Sequence, residues 1–195
     1  MMRNTSKQSS NLLKLIILAL LGTISLLLFF LNFPLPFLPP YLKIDFSDVP
    51  ALMASLIFSP LAGVIVVAVK NLLYIAVSGA GDPIGVAANF LAGVMFVVPV
   101  SILYHKYKGV KSIVSGLVTG TLIMAIGMSV LNYFIILPAY GWFMGWEMTN
   151  QVIWVSVIAG VLPFNMIKGI IIALLFVPLF IKMHSWIKQQ QAKFI

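Results

Sequence analysis

LKIDFSDVPALMASLIFSPLAGVIVVAVKN, residues 42–71, begins with Lys43, Asp45 and Asp48 and then turns almost wholly apolar. The run from Phe46 to Phe58 is 13 residues long. At about 1.5 Å per residue it makes about 20 Å of helix, short of a hydrocarbon core of about 30 Å. A break at Ser59-Pro60 and a second apolar piece ending at Lys70-Asn71 follow it. The stretch is therefore neither a soluble loop nor a simple crossing. Asp45 and Asp48 suit the partial positive charge of a helix N-terminus, and Pro50 lies early enough to be tolerated in a first turn.

Working outward, 62% of the 195 residues are hydrophobic and only 8% are charged, with a mean hydropathy of +1.11. That composition excludes a water-soluble globular domain. Alternating strand-length segments of the kind that build membrane barrels are absent from the sequence. The expected fold is an all-α membrane protein, a single compact bundle of six transmembrane helices over residues 1–195. There is no Cys, hence no disulfide framework and no thiolate metal site. The first apolar run is 21 residues long and lacks a small-residue cleavage pattern before Phe33-Pro34, so it reads as a span and not as a cleaved leader.

Charge distribution sets the expected orientation. Arg3, Lys7 and Lys14 precede the first span, Lys106, Lys108 and Lys111 share one loop, and Lys182, Lys188 and Lys193 lie in the tail. These are nine of the 12 basic residues. An even number of spans puts all three clusters on one side, which the positive-inside rule makes cytoplasmic, with both termini there. Asp45, Asp48, Asp82 and Glu147, the only acids, then fall in or beside the opposite loops. A net charge of +8 distributed this way speaks for a cell membrane and its lipid, not for nucleic acid.

The expected spans are 12–32, 46–58, 61–77, 84–104, 112–137 and 150–181, with outer loops at 33–45, 78–83 and 138–149. Span one carries small residues, Ala19, Gly22 and Thr23, that suit close helix contact, either within the bundle or with a partner. Four prolines between Pro34 and Pro40 make the first loop stiff and non-helical, as a lid or as an interfacial anchor. Gly116 and Gly120 in span five form a Gly-x-x-x-Gly surface. Span six is too long for one crossing, so it is expected to start outside the membrane or to break near Gly160 to Pro163.

Polar residues inside spans need a reason. A Lys at a helix centre costs about 2.5–3.5 kcal/mol on insertion scales, and Lys168 lies deep in span six. Asn165, three residues earlier, shares its helical face. Together they offer the donors and acceptor that a planar heterocycle with carbonyl and ring-nitrogen edges requires. Asn132 and Asn89 are placed to reach the same cavity. The competing reading is structural: Lys168 paired with an acid, the Asn side chains bonded between helices, and Lys70 paired with Asp48 or Asp82. Catalytic constellations are missing. His105 and His184 sit in basic segments without a ligand pattern, and the four separated acids form no evident metal or acid–base pair. No catalytic residue, metal site or cofactor is expected.

Leu42 to Pro50, then Ser59-Pro60-Leu-Ala-Gly63, Val69-Lys70-Asn71, Gly85 and Ala88-Asn89-Phe90, resemble the riboflavin-specific substrate-capture subunit, or S component, of energy-coupling-factor vitamin transporters. The likeness runs over nearly the full chain and includes Asn165 to Lys168. It implies one vitamin bound near the outer face under the first loop. It also implies partners: a membrane coupling subunit and two cytosolic ATPase subunits. On this reading Tyr41, Leu42 and the Trp142 to Trp146 loop cover the flat ring, and Asn132, Asn165 and Lys168 meet its polar edge. Glu147 or Asp82 accepts from ribityl hydroxyls, and riboflavin is a transported substrate and not a cofactor. Ala19, Gly22 and Thr23 form the partner-docking stripe, although S components tend to show Ala-x-x-x-Ala where this chain has Ala19 and Thr23. The rival readings are an S component for another vitamin, a lipid-acting membrane enzyme, and a membrane scaffold.

Overall fold

The short second apolar run forms a ten-residue helix, α2 (Asp48–Ile57), about 15 Å long. A computed structural model, which describes residues 2–79 and 81–194, surrounds it with five helices long and apolar enough to cross a bilayer. These are α1 (Met2–Phe30), α3 (Pro60–Ser78), α4 (Pro83–Tyr107), α5 (Val110–Met144) and α6 (Asn150–Phe194). Ala80 of the expected 78–83 turn, and the side chains of Arg3 and Lys7 in the basic flank, lie outside the described residues.

Every residue of α2 is buried. Ser59 ends the turn that follows by accepting the Ala62 N–H at 3.3 Å, and Pro60 occupies the first turn of α3, where an absent donor is harmless. The carbonyls at the end of α2 have no partners within so short a helix, and other helices supply them. Ser101 Oγ and His105 Nε2 of α4 donate to the Ser55 carbonyl at 3.0 and 2.9 Å, and Gln191 Nε2 of α6 donates to that of Leu56 at 2.6 Å. The Phe58 ring meets Phe194 edge-on at 5.0 Å. This end of the bundle is therefore filled by the tail of α6.

At the other end the chain between α1 and α2 turns back on itself. Two short strands, β1 (Phe33–Pro34) and β2 (Lys43–Ile44), pair antiparallel with Phe33 opposite Ile44. This small ladder was not expected of the proline-rich loop. Leu38, Ile44 and Phe164 form a cluster that seats the hairpin on α6. Irregular backbone is carried down to Asp48 by this means. Such backbone is tolerated at membrane depth when protein covers it, and here Ile44, Asp45 and Ser47 are buried.

The expected third outer loop is shorter than 138–149, because α5 stays helical through Met144 and stops at Gly145, whose φ of 69° is left-handed. A wide π-turn, Asn132–Ile136, precedes Pro138. The same device recurs in α6, where the π-turn Ser156–Val161 precedes Pro163. A proline lacks an N–H and crowds the carbonyl four residues back, and a π-bulge relieves that crowding without ending the helix. The break expected near Gly160 to Pro163 is thus a widened turn in a continuous helix.

Helix contacts are close where glycines allow. A Cβ on Gly120 would lie 2.6 Å from the Phe96 carbonyl oxygen, and one on Gly116 would lie 2.9 Å from the Val100 Cα, so α4 and α5 meet nearly backbone to backbone. On α1, Gly22 is buried against Val69 of α3, whereas Ala19 and Thr23 face outward. The small-residue stripe of span one is divided between the bundle and its surroundings.

Candidate functional site

Between the hairpin and α4, α5 and α6 lies a cavity of about 420 Å³, inside the range of about 300–1,000 Å³ usual for small-molecule sites. Tyr41, Leu42, Asp82, Asn89, Asn132, Asn165 and Lys168 all line it, so seven of the nine candidate ligand residues converge on one space. Trp142 and Glu147 do not line it. Because α5 continues to Met144, Ile136, Leu137, Tyr140 and Met144 share the cavity face at helical spacing. Trp142 is then turned away and is 88% exposed. Glu147 lies past the Gly145 stop and is exposed. Trp146 is the indole that reaches the cavity.

Asn132 opens the π-turn of α5, and its Nδ2 donates to the Met128 carbonyl at 2.8 Å. Asn165 sits one turn past the π-turn of α6 and its Nδ2 donates to the Val161 carbonyl at 2.8 Å. Each amide thereby keeps its oxygen and second N–H for the cavity. Both residues are buried overall and line the cavity, so each offers it an amide with spare donor and acceptor capacity. Lys168 places its Nζ 3.1 Å from Asp45 Oδ2 and 3.2 Å from Asp48 Oδ2. The ammonium is held between two carboxylates while it lines the cavity, so the ion pair and the cavity-facing position fall to one side chain.

Lys70 does not line the cavity and makes no ion pair of the kind considered for Asp48 or Asp82. Its Nζ donates to Ser47 Oγ at 2.9 Å and to Asn89 Oδ1 at 2.6 Å, over the Phe29 ring. Ser47 Oγ in turn donates to Asp45 Oδ1. Asn89 is therefore committed to Lys70 through its oxygen.

At the mouth, Asp82 accepts the Gly85 N–H at 2.8 Å as the cap of α4 and accepts the Tyr140 hydroxyl at 2.9 Å. Tyr140 stacks on Trp146 with ring centroids 5.3 Å apart and planes 15° from parallel. Tyr140, Asn32 and Phe164, which sequence alone does not single out, also line the cavity. A polar residue closing span one and a Tyr two positions after Pro138 were the available signals. Flat aromatic walls, amide edges and one fixed ammonium suit a planar heterocycle. Among the described residues no group of His, Cys, Asp and Glu has the arrangement of a metal site.

Residues 13–180 match the family model described as "ECF transporter, substrate-specific component". The chain belongs to this family. It is 48% identical over 185 residues to the protein named Riboflavin transporter FmnP of Bacillus subtilis (strain 168), covering 93% of this chain and 97% of that one. It is 43% identical over 176 residues to the Riboflavin transporter RibU of Staphylococcus aureus (strain TCH60), covering 90% and 93%. A solved structure described as "Structure and mechanism of the S component of a bacterial ECF transporter" superposes with a TM-score of 0.76 at 43% identity, over 90% of this chain and 97% of that one. An S component is a transport subunit and not an enzyme, so its site has to bind and release, not to make or break bonds.

Proposed function

We propose that this S component captures riboflavin from the outer side of the cell membrane and delivers it inward as part of an ATP-driven transporter. The observation that carries the reading is the convergence of the buried residues Asn132, Asn165 and Lys168 on one cavity walled by aromatic rings. An isoalloxazine ring has one long apolar edge and one edge of alternating carbonyl and nitrogen groups, which the aromatic wall and the amide–ammonium set can each meet. Relatives at 43% and 48% identity are named riboflavin transporters, which favours this vitamin over another. The coupling partners are a membrane subunit and two cytosolic ATPases, as the family implies. Both termini lie in the cytoplasm, as the basic flanks and the parity of the helices support.

The direct test is an absorbance spectrum of the detergent-purified protein, then titration of riboflavin fluorescence in the ligand-free form. The expected result is saturable quenching near one equivalent that thiamine and biotin do not compete away. A folded, colourless protein without quenching would overturn the assignment. Asn132→Ala and Asn165→Ala should each weaken binding by about 1–3 kcal/mol, the usual loss when a buried polar group is stranded, or about 5- to 150-fold in Kd. Unchanged Kd in both folded variants would remove the amides from the site.

Ala19 and Thr23, exposed on α1, are the part of the small-residue stripe available to the membrane coupling subunit. Ala19→Trp is expected to abolish uptake in cells that express the whole transporter while leaving riboflavin quenching by the isolated subunit unchanged. Full uptake by this variant would place the docking face elsewhere.

A further inference from the structure

Behind the cavity lies a set of charges that ligand contact alone does not call for. Asp45, Asp48 and Lys70 are each 1% exposed and Lys168 is 4% exposed. Among these four only Lys168 lines the cavity. They form one connected unit: Lys168 lies between Asp45 and Asp48, Ser47 bridges Asp45 to Lys70, and Lys70 reaches back to the cavity through Asn89. Two carboxylates and two ammonium groups sum to zero formal charge. Three separate elements supply them, the hairpin with α2, α3 and α6.

We propose that this charge-balanced floor makes the cavity select an uncharged ring edge over an anionic one, with Asp48 and Lys70 acting as positioning residues from behind the lining. The inference rests on the riboflavin reading above. A lone buried ammonium would make an anion site, because charge is poorly screened there. Two carboxylates at 3.1 and 3.2 Å cancel most of that field. What remains at Lys168 is a fixed N–H donor, which serves a neutral carbonyl. An anion at this floor gains little to offset its lost hydration, and the other lining cation, Lys43, is solvent-exposed, as is the lining acid Asp82. The two positioning residues carry opposite charge, so neutralising them pushes the floor in opposite directions. Asp48→Asn leaves it net positive, and Lys70→Gln leaves it net negative.

Bound riboflavin is itself the probe. Reduction by two electrons with one proton added at N5 gives, at alkaline pH, a ring that is anionic at N1. The difference in midpoint potential between bound and free riboflavin reads the ratio of the two forms' dissociation constants. Anaerobic spectroscopic titration with dithionite at a fixed, mildly alkaline pH, where the oxidised ring keeps its N3 proton and stays neutral, is expected to give a lower potential for riboflavin bound to the wild-type protein than for free riboflavin. A unit charge about 10 Å away at an effective dielectric of about 20 changes such a ratio roughly tenfold, which is about 30 mV for a two-electron couple. Asp48→Asn should raise the bound potential by about that amount, and Lys70→Gln should lower it.

A merely structural role would weaken both redox forms alike and leave the potential where it was. Potentials unchanged in both variants, or moved in the same direction, overturn the proposal, as does a wild-type potential raised on binding. If Asp48→Asn does not fold, Lys70→Gln decides alone: a lowered potential supports the charge balance and an unchanged one refutes it. Failure of the wild-type protein to bind riboflavin at all appears earlier, in the fluorescence titration, and refutes the riboflavin reading itself.

Discussion

Lys168→Met is expected to destabilise the protein by about 3–5 kcal/mol, the usual cost of breaking a buried ion pair from one side. The ammonium is the only cation within 4 Å of either Asp45 or Asp48 among the described residues. Neither Asp48 oxygen has a hydrogen-bond partner to fall back on. Removing Lys168 thus leaves two carboxylates buried among α2, α4 and α6, with Lys70 one hydroxyl away from Asp45 as the remaining counter-charge. Thermal unfolding in detergent should show a large drop in midpoint. The double variant Lys168→Met with Asp48→Asn balances the charge again and should recover most of that midpoint, since replacing both partners is far less costly than replacing one. Riboflavin quenching should be lost in the double variant as well, because the proposed donor to the ring is still missing. A single variant that unfolds at the wild-type temperature would mean that the pair adds nothing to stability.

The helical frame was legible because hydropathy and length set it directly. Apolar runs near 20 residues, punctuated by Ser59-Pro60, Asp82-Pro83 and the basic loop at Lys106 to Lys111, leave little freedom in where helices start and stop. Lys168 and Asn165 were legible for a related reason, since polar groups inside spans require a partner or a task. Which partner was not legible. Lys168 and Asp45 are 123 positions apart, and the chain offers four acids among which only the tertiary fold chooses. Local propensity failed at Pro138 and Pro163 for the opposite reason. A proline normally predicts a helix boundary, and a π-turn that absorbs it leaves no mark in composition. The π-turn before Pro138 is what shortens the third loop. Coil over 138–144 leaves nothing to distinguish Trp142 from Tyr140 or Trp146; helical rotation is what turns one indole out.

The close packing of α5 against α6 makes Gly169→Ala the second large effect, and one that separates shape from charge. A Cβ at Gly169 would meet Thr121, 2.5 Å from its Cγ2 and 2.8 Å from its Cβ. Thr121 cannot swing away cheaply, because it is buried and its hydroxyl donates to the Leu117 carbonyl at 2.7 Å. The helices must therefore separate, and overpacking of this kind costs about 1–3 kcal/mol. Gly169 follows Lys168 and lies four residues after Asn165, so a shift of α6 away from α5 also pulls both from Asn132 across the cavity. The expected outcome is a lower unfolding midpoint together with weaker riboflavin binding. Thr121→Gly removes the obstructing atoms and should restore both in the double variant, even though a helix-interior glycine by itself costs about 0.5–1 kcal/mol. The diagnostic is that non-additivity: contacting residues should show a coupling of about 0.5–3 kcal/mol in a double-mutant cycle. Additive effects would mean that α6 is not held against α5 at this point, and that the spacing of Asn132 from Asn165 and Lys168 is set elsewhere in the bundle.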